Sequence, residues 1–138
     1  KNKMKKTGIF FLIILMFYGC STLKQHEKKE YKERFKTELL CECLKYGFNE
    51  SKEIKKLLKE DKSLVFDEPF DKKHGVIEEL AKLTYQKIRK DSINTIGKVA
   101  EGAEGKRVFQ QCLKVYNSKK IDSLAILYYK KRNDQRDE

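Results

Sequence analysis

The sequence predicts an all-α protein, a single small helical bundle of about five helices pinned by one disulfide. Three observations carry that expectation. Apolar residues recur at three- and four-residue spacing in successive stretches, no stretch alternates apolar and polar residues long enough to build a sheet, and the only proline, Pro69, falls between helical stretches. A chain of 138 residues suits one domain with one modest core.

The N-terminus reads as an address and not as part of that core. Lys1, Lys3, Lys5 and Lys6 form a positive region, and Ile9 to Tyr18 is an uncharged apolar run ending at Gly19-Cys20. That run is about half the ~20 residues a spanning helix needs, so a cleaved signal is expected over a retained transmembrane anchor. Phe17-Tyr18-Gly19-Cys20 resembles a lipobox, whose cysteine accepts a diacylglycerol before cleavage. Phe17 and Tyr18 depart from the usual leucine and small residue, so the match rests on Gly19-Cys20, and an ordinary secretory signal is the alternative. The organisation expected is a lipoprotein-type signal over residues 1–19 with Cys20 as the lipidation site, a polar tether over 20–31, and a helical domain over 32–138.

Within the tether, Lys24, Lys28 and Lys29 mix with Glu27 and Glu30 in a solvated run. Phe35, Leu39, Leu40, Cys43 and Leu44 then mark a first helix ending near Gly47, where glycine suits a C-terminal turn. Ser51 caps a short second helix with Ile54, Leu57 and Leu58 as its apolar stripe. Asp61 to Gly75 breaks the period and reads as a loop. Val76, Ile77, Leu80, Ala81, Leu83, Thr84 and Ile88 restore it as a third helix to about Lys90, and Asp91 to Gly105 reads as a helical piece followed by a flexible turn. Val108, Phe109, Cys112, Leu113 and Tyr116 form the face of a fourth helix. After the Asn117-Ser118 interruption, with Ser118 as N-cap, Ile121, Leu124, Ala125 and Tyr128 form the face of a fifth.

With Cys20 lipidated, Cys41, Cys43 and Cys112 remain. Residues two apart project about 200° from each other on a helix, so Cys41 and Cys43 do not both face the core. Cys43 shares its stripe with Leu39, Leu40 and Leu44, and Cys112 lies among Phe109, Leu113 and Tyr116, so the expected disulfide joins Cys43 to Cys112. The alternative is three buried free thiols. Cys41-Glu42-Cys43 has the wrong spacing for a zinc knuckle, and His26 and His74 have no companion histidine. No metal, no cofactor and no catalytic residue is therefore expected. Paired carboxylates on a shared face, a phosphate loop and a nucleophile with its base are not found either, which argues against an enzyme.

The C-terminal pattern Cys-Leu-x-x-Tyr-x-Ser-x-x-Ile-Asp-x-Leu, falling on Cys112, Leu113, Tyr116, Ser118, Ile121, Asp122 and Leu124, resembles the signature of type VI secretion amidase immunity proteins. Cys43-Leu44-Lys45-Tyr46-Gly47-Phe48 resembles the first-helix cysteine segment of the same family, and Asp71 to Glu78, around Gly75, is a looser likeness. The resemblance implies a periplasmic, often dimeric helical protein that binds a peptidoglycan-cutting cysteine amidase and plugs its cleft. Such a plug needs an exposed insertion element. Asp67 to Gly75 is the best candidate, with Phe70 as an aromatic anchor and Asp67, Glu68, Asp71 and His74 around it as partner-binding residues. The plainer alternative is a connecting loop with Phe70 in its own core.

The full chain carries 32 basic against 21 acidic residues, net +11; without Lys1, Lys3, Lys5 and Lys6 the exported part is 28 − 21 = +7, basic but mixed. In an exported chain such a balance faces lipid phosphates or the acidic patches of a protein, not nucleic acid. The expected partners are a cognate amidase effector and the membrane through the N-terminal lipid, with a homodimer as a further assembly. A generic envelope lipoprotein, a binding or assembly module with no toxin partner, is the competing reading.

Overall fold

The computed structural model describes residues 2–62, 75–96 and 104–134, with side chains described from Leu23 onward except that of Thr95. Five helices account for the regular structure among them: α1 (Asn2–Gly47), α2 (Lys52–Glu60), α3 (Val76–Thr95), α4 (Val108–Tyr116) and α5 (Lys119–Asp134). The predicted all-α bundle is what the chain forms. Helix α1 is its spine, and each of the other helices packs against it.

The packed stripe of α1 is Tyr31, Phe35, Leu39 and Cys43, a four-residue row in which the last three are 1% exposed. This row starts earlier than the sequence suggested. The stretch expected as a polar tether is helical throughout, and its last residue, Tyr31, is buried edge-on against Tyr129 with ring centroids 5.3 Å apart. Glutamate and lysine are good helix formers, and the charges of residues 23–30 leave them solvated on a helix as readily as on a linker. Composition alone does not separate the two.

Helices α4 and α5 run antiparallel to α1 as one broken rod. Phe109 meets Phe48, Cys112 meets Cys43, and then Tyr128 meets Phe35 and Tyr129 meets Tyr31, so the pairing descends α1 as it ascends the C-terminus. The break falls at Asn117-Ser118 as predicted. The Ile121 amide donates to Ser118 Oγ at 3.3 Å, which satisfies one of the free N–H groups of the new helix. Helix α3 buries Ile77, Ala81, Thr84 and Ile88. It runs five residues past Lys90 to Thr95, and Gln111 of α4 donates to Asp91 Oδ2 at 2.9 Å, tying this extension to α4.

The core has two parts. Phe35 and Leu39 fill one, against Ile77 and Ala81 of α3 and Ile121 and Ala125 of α5. Both alanines are 0% exposed, and their small size lets the large side chains of α1 enter. Cys43, Ile88, Val108 and Cys112 form the other. Helix α2 contributes to neither: Ser51 caps it as expected, accepting from the Ile54 amide at 3.3 Å, but none of its residues is buried and Leu57 is 61% exposed. The apolar stripe read there is therefore not a core stripe.

Gly47 corrects a second expectation. It is the last residue of α1 but does not make the left-handed turn, which falls on Asn49 (φ 57°) and Glu50 (φ 55°). What requires glycine at 47 is a close approach: a Cβ there would overlap Cγ1 of Val108 at the start of α4. Gly47→Ala is expected to lower stability by about 1–3 kcal/mol through this overpacking, measured by urea denaturation. A neutral result would mean that Val108 has room to move aside.

Candidate partner-binding surface

Of the residues singled out from the sequence, the cysteine pair is resolved first. Cys43 and Cys112 form a disulfide with Cα atoms 5.8 Å apart, both 1% exposed. Cys20 lies within α1, and its side chain is outside the described residues, as are Asp67, Glu68, Phe70, Asp71 and His74. Cys41 is a half-buried free thiol. Burial first, then the nearby carboxylates Asp61, Glu42 and Glu38, pushes its pKa up to about 11. It is thus a protonated thiol at neutral pH, the opposite of an activated nucleophile. Among the described residues no group of three or more His, Cys, Asp or Glu could hold a metal ion, and no helix is long and apolar enough to cross a membrane.

The signature residues divide by what they touch. Cys112 is in the disulfide, Ser118 caps α5, Ile121 is buried, and Leu124 packs against the core. Asp122 sits in the first turn of α5, 3.1 Å from Nζ of Lys36, a lysine only 8% exposed on α1. That same Nζ lies 4.5 Å from the centre of the Tyr116 ring, whose hydroxyl donates to Glu33 at 3.4 Å. Tyr116 and Asp122 therefore work as a pair, holding the one buried cation among the described residues at the α4–α5 break. Asp122→Ala is expected to cost about 1–3 kcal/mol, less than for a fully buried pair because the carboxylate is 36% exposed. Lys36→Met in the Asp122→Ala background should recover most of the loss. Failure to recover would show that the carboxylate acts some other way. Leu113 alone in the signature has no such duty, being 44% exposed.

At the C-terminal end of α1 the sequence reading missed a connected group of polar and aromatic side chains. The left-handed Asn49 turns its amide Oδ1 toward α3 and α4, where it accepts from the Tyr85 hydroxyl at 3.0 Å and from Lys106 Nζ at 2.7 Å. Asparagine tolerates this backbone region better than most residues. Lys106 Nζ is also 5.2 Å from the Tyr85 ring centre, with the Arg89 guanidinium at 5.9 Å. One turn earlier on α1, Tyr46 donates to Glu78 Oε1 at 2.8 Å, and Lys82 bonds the same oxygen at 2.6 Å. Lys82 and then Tyr46 hold the Glu78 carboxyl below its ordinary pKa, while burial and then Glu78 raise that of the Tyr46 hydroxyl. Tyr46 packs against the core with its ring and reaches Glu78 with its hydroxyl, and periodicity gives no reason to join it to Asn49 and Tyr85; the left-handed turn is what brings Asn49 to Tyr85 and Lys106.

This end of the molecule also carries Phe109 of α4, 59% exposed, its inner edge resting on Phe48 at a centroid distance of 6.1 Å. Together these side chains set aromatic edges and cationic groups side by side at this end of the molecule. No known protein family, characterised protein or solved structure matches the chain.

Proposed function

We propose that the chain is an exported, lipid-anchored immunity protein that binds and blocks a peptidoglycan-cleaving amidase delivered by type VI secretion. The observation that carries the reading is the spaced pattern from Cys112 to Leu124, joined to the first-helix cysteine segment through the bond between Cys43 and Cys112. Inhibition from the periplasm calls for an address, an oxidised scaffold and a binding face. The apolar run before Cys20, the bridged bundle and the aromatic end of α1 are consistent with those requirements. Blocking a cleft also calls for an inserted element, and Asp67 to Gly75, with Phe70 as anchor, is the proposed one.

The test is a pull-down of the Cys20→Ser chain against the amidase encoded nearest to its gene, followed by peptidoglycan digestion with and without it. Stoichiometric capture that halts digestion is the expected result, with Phe70→Ala weakening capture by about tenfold or more at an unchanged melting temperature. Failure to bind any neighbouring hydrolase would leave the second reading, an envelope lipoprotein serving as a binding module without a toxin partner. One observation favours that second reading: nearly every signature side chain already has work inside the scaffold.

A further inference from the structure

We infer that the ridge of α4 around Phe109, with its cationic rim, is a docking surface for an acidic, apolar-slotted face of the partner protein; this rests on the immunity reading above. Phe109 and Leu113 lie one turn apart on the outer side of α4, 59% and 44% exposed, while Val108 and Cys112 on the inner side are buried at 3% and 1%. What sets this surface apart is that the two exposed apolar side chains adjoin on one fixed helix, since adjoining apolar surface marks contact sites where singly scattered residues do not. The ring is held by Phe48, and α4 itself by the disulfide and by the Gln111 bond to Asp91, so little ordering is lost when a partner covers it.

Charge selects the occupant. Arg107 immediately precedes α4, Lys106 stands before it on the Asn49 turn, and Arg89 flanks Tyr85 on α3. The carboxylates in the same region are Glu50, Asp91 and Glu104. Glu50 is paired with Lys55 at 2.8 Å, and Asp91 and Glu104 keep their charges, so Arg107, Lys106 and Arg89 outnumber them and the rim is positive by one. A second copy of this chain would bring these cations against each other, whereas an acidic protein face would meet them with opposite charge. A membrane is disfavoured by position: between Leu23 and Gly47 α1 rises ~36 Å, which puts the ridge at the far end of the helix from a lipid at Cys20.

The experiment measures binding of the full oxidised chain to the same nearest amidase, comparing wild type with Phe109→Ala, Arg107→Glu and Leu127→Ala. Arg107→Glu is compatible with the fold because a carboxylate at a helix N-terminus is electrostatically favoured. Leu127, 47% exposed on α5, is the control for loss of an exposed apolar side chain. Phe109→Ala should raise Kd by ~10-fold or more. Arg107→Glu should slow association and flatten its dependence on salt. Leu127→Ala should match wild type, and all the variants should melt within ~2 °C of it. Wild-type affinity in both ridge variants overturns the inference and leaves the immunity reading standing, whereas a wild type that binds no amidase overturns both. Loss of a dimer on Phe109→Ala in sedimentation, or loss of binding to vesicles containing anionic lipid, with amidase affinity unchanged, also overturns it.

Discussion

Cys43→Ala and Cys112→Ala are each expected to lower stability by about 4 kcal/mol, and the double variant by no more than either. The bond closes 69 residues of chain, so its removal frees a long loop in the unfolded state, where most of the effect arises in the chain-entropy account. Alanine is the substitution to use. Both sulfurs lie at 1% exposure beside Ile88 and Val108, and a serine there would add the separate cost of an unpaired hydroxyl. Wild type under reducing conditions should behave like the double variant. Cys41→Ser should leave the midpoint within about 0.5 kcal/mol of wild type, since Cys41 is only half-buried and unbridged. A double variant much worse than either single would mean that the thiols contribute packing beyond the bond. If the chain is exported as proposed, the same numbers predict that protein made in a reducing compartment is the less stable form.

How much of this was legible in the sequence follows from which forces set each element. The disulfide was, because helical geometry separates Cys43 from Cys41 and the apolar stripe then chooses between them. The break at Asn117-Ser118 and both serine caps were, because capping is a local interaction between a hydroxyl and amides two or three residues on. The tether was not. Helix and solvated linker draw on the same lysines and glutamates, and only Tyr31 meeting Tyr129, a contact across 98 residues of chain, shows that the packed part begins sooner. Gly47 was read as a turn glycine because glycines commonly end helices. Its requirement comes instead from Val108, which sequence order places far away.

The candidate surface was the least legible part, and for a physical reason. A stripe reading assigns every apolar residue at helical spacing to the core, so Phe109 and Leu113 were counted with Val108 and Cys112 as one face. A nine-residue helix that lies along a single spine can bury only about half of its circumference. With Val108, Cys112 and Val115 turned inward, the second row is left outside. The same holds for Leu57 on α2. Apolar periodicity wider than a short helix can bury thus marks residues left at the surface, here Phe109 and Leu113.

Phe35→Ala is expected to be the most destabilising single truncation, at about 3–5 kcal/mol. Phe35 is 1% exposed and belongs to the cluster in which α1 meets both α3 and α5, and its ring stacks on Tyr128 at a centroid distance of 6.0 Å. Its neighbours have little means of closing the gap. Ala81 and Ala125 carry only a methyl group that cannot reach further, and the rod of α4 and α5 is fixed to α1 by the disulfide at one end and by Tyr129 against Tyr31 at the other. The cavity therefore persists, and its cost adds to the lost burial of the ring. Since a domain of this size has a net stability of roughly 5–15 kcal/mol, the loss is a large fraction of the whole. Leu39→Ala, at the same exposure, should follow closely, while Leu57→Ala and Leu127→Ala should each change stability by less than about 0.5 kcal/mol. The comparison separates scaffold from surface by denaturation alone. Were Phe35→Ala to cost no more than about 1 kcal/mol, α3 and α5 would have to be free to collapse onto α1, and a rod fixed at both ends would be the wrong description of this fold.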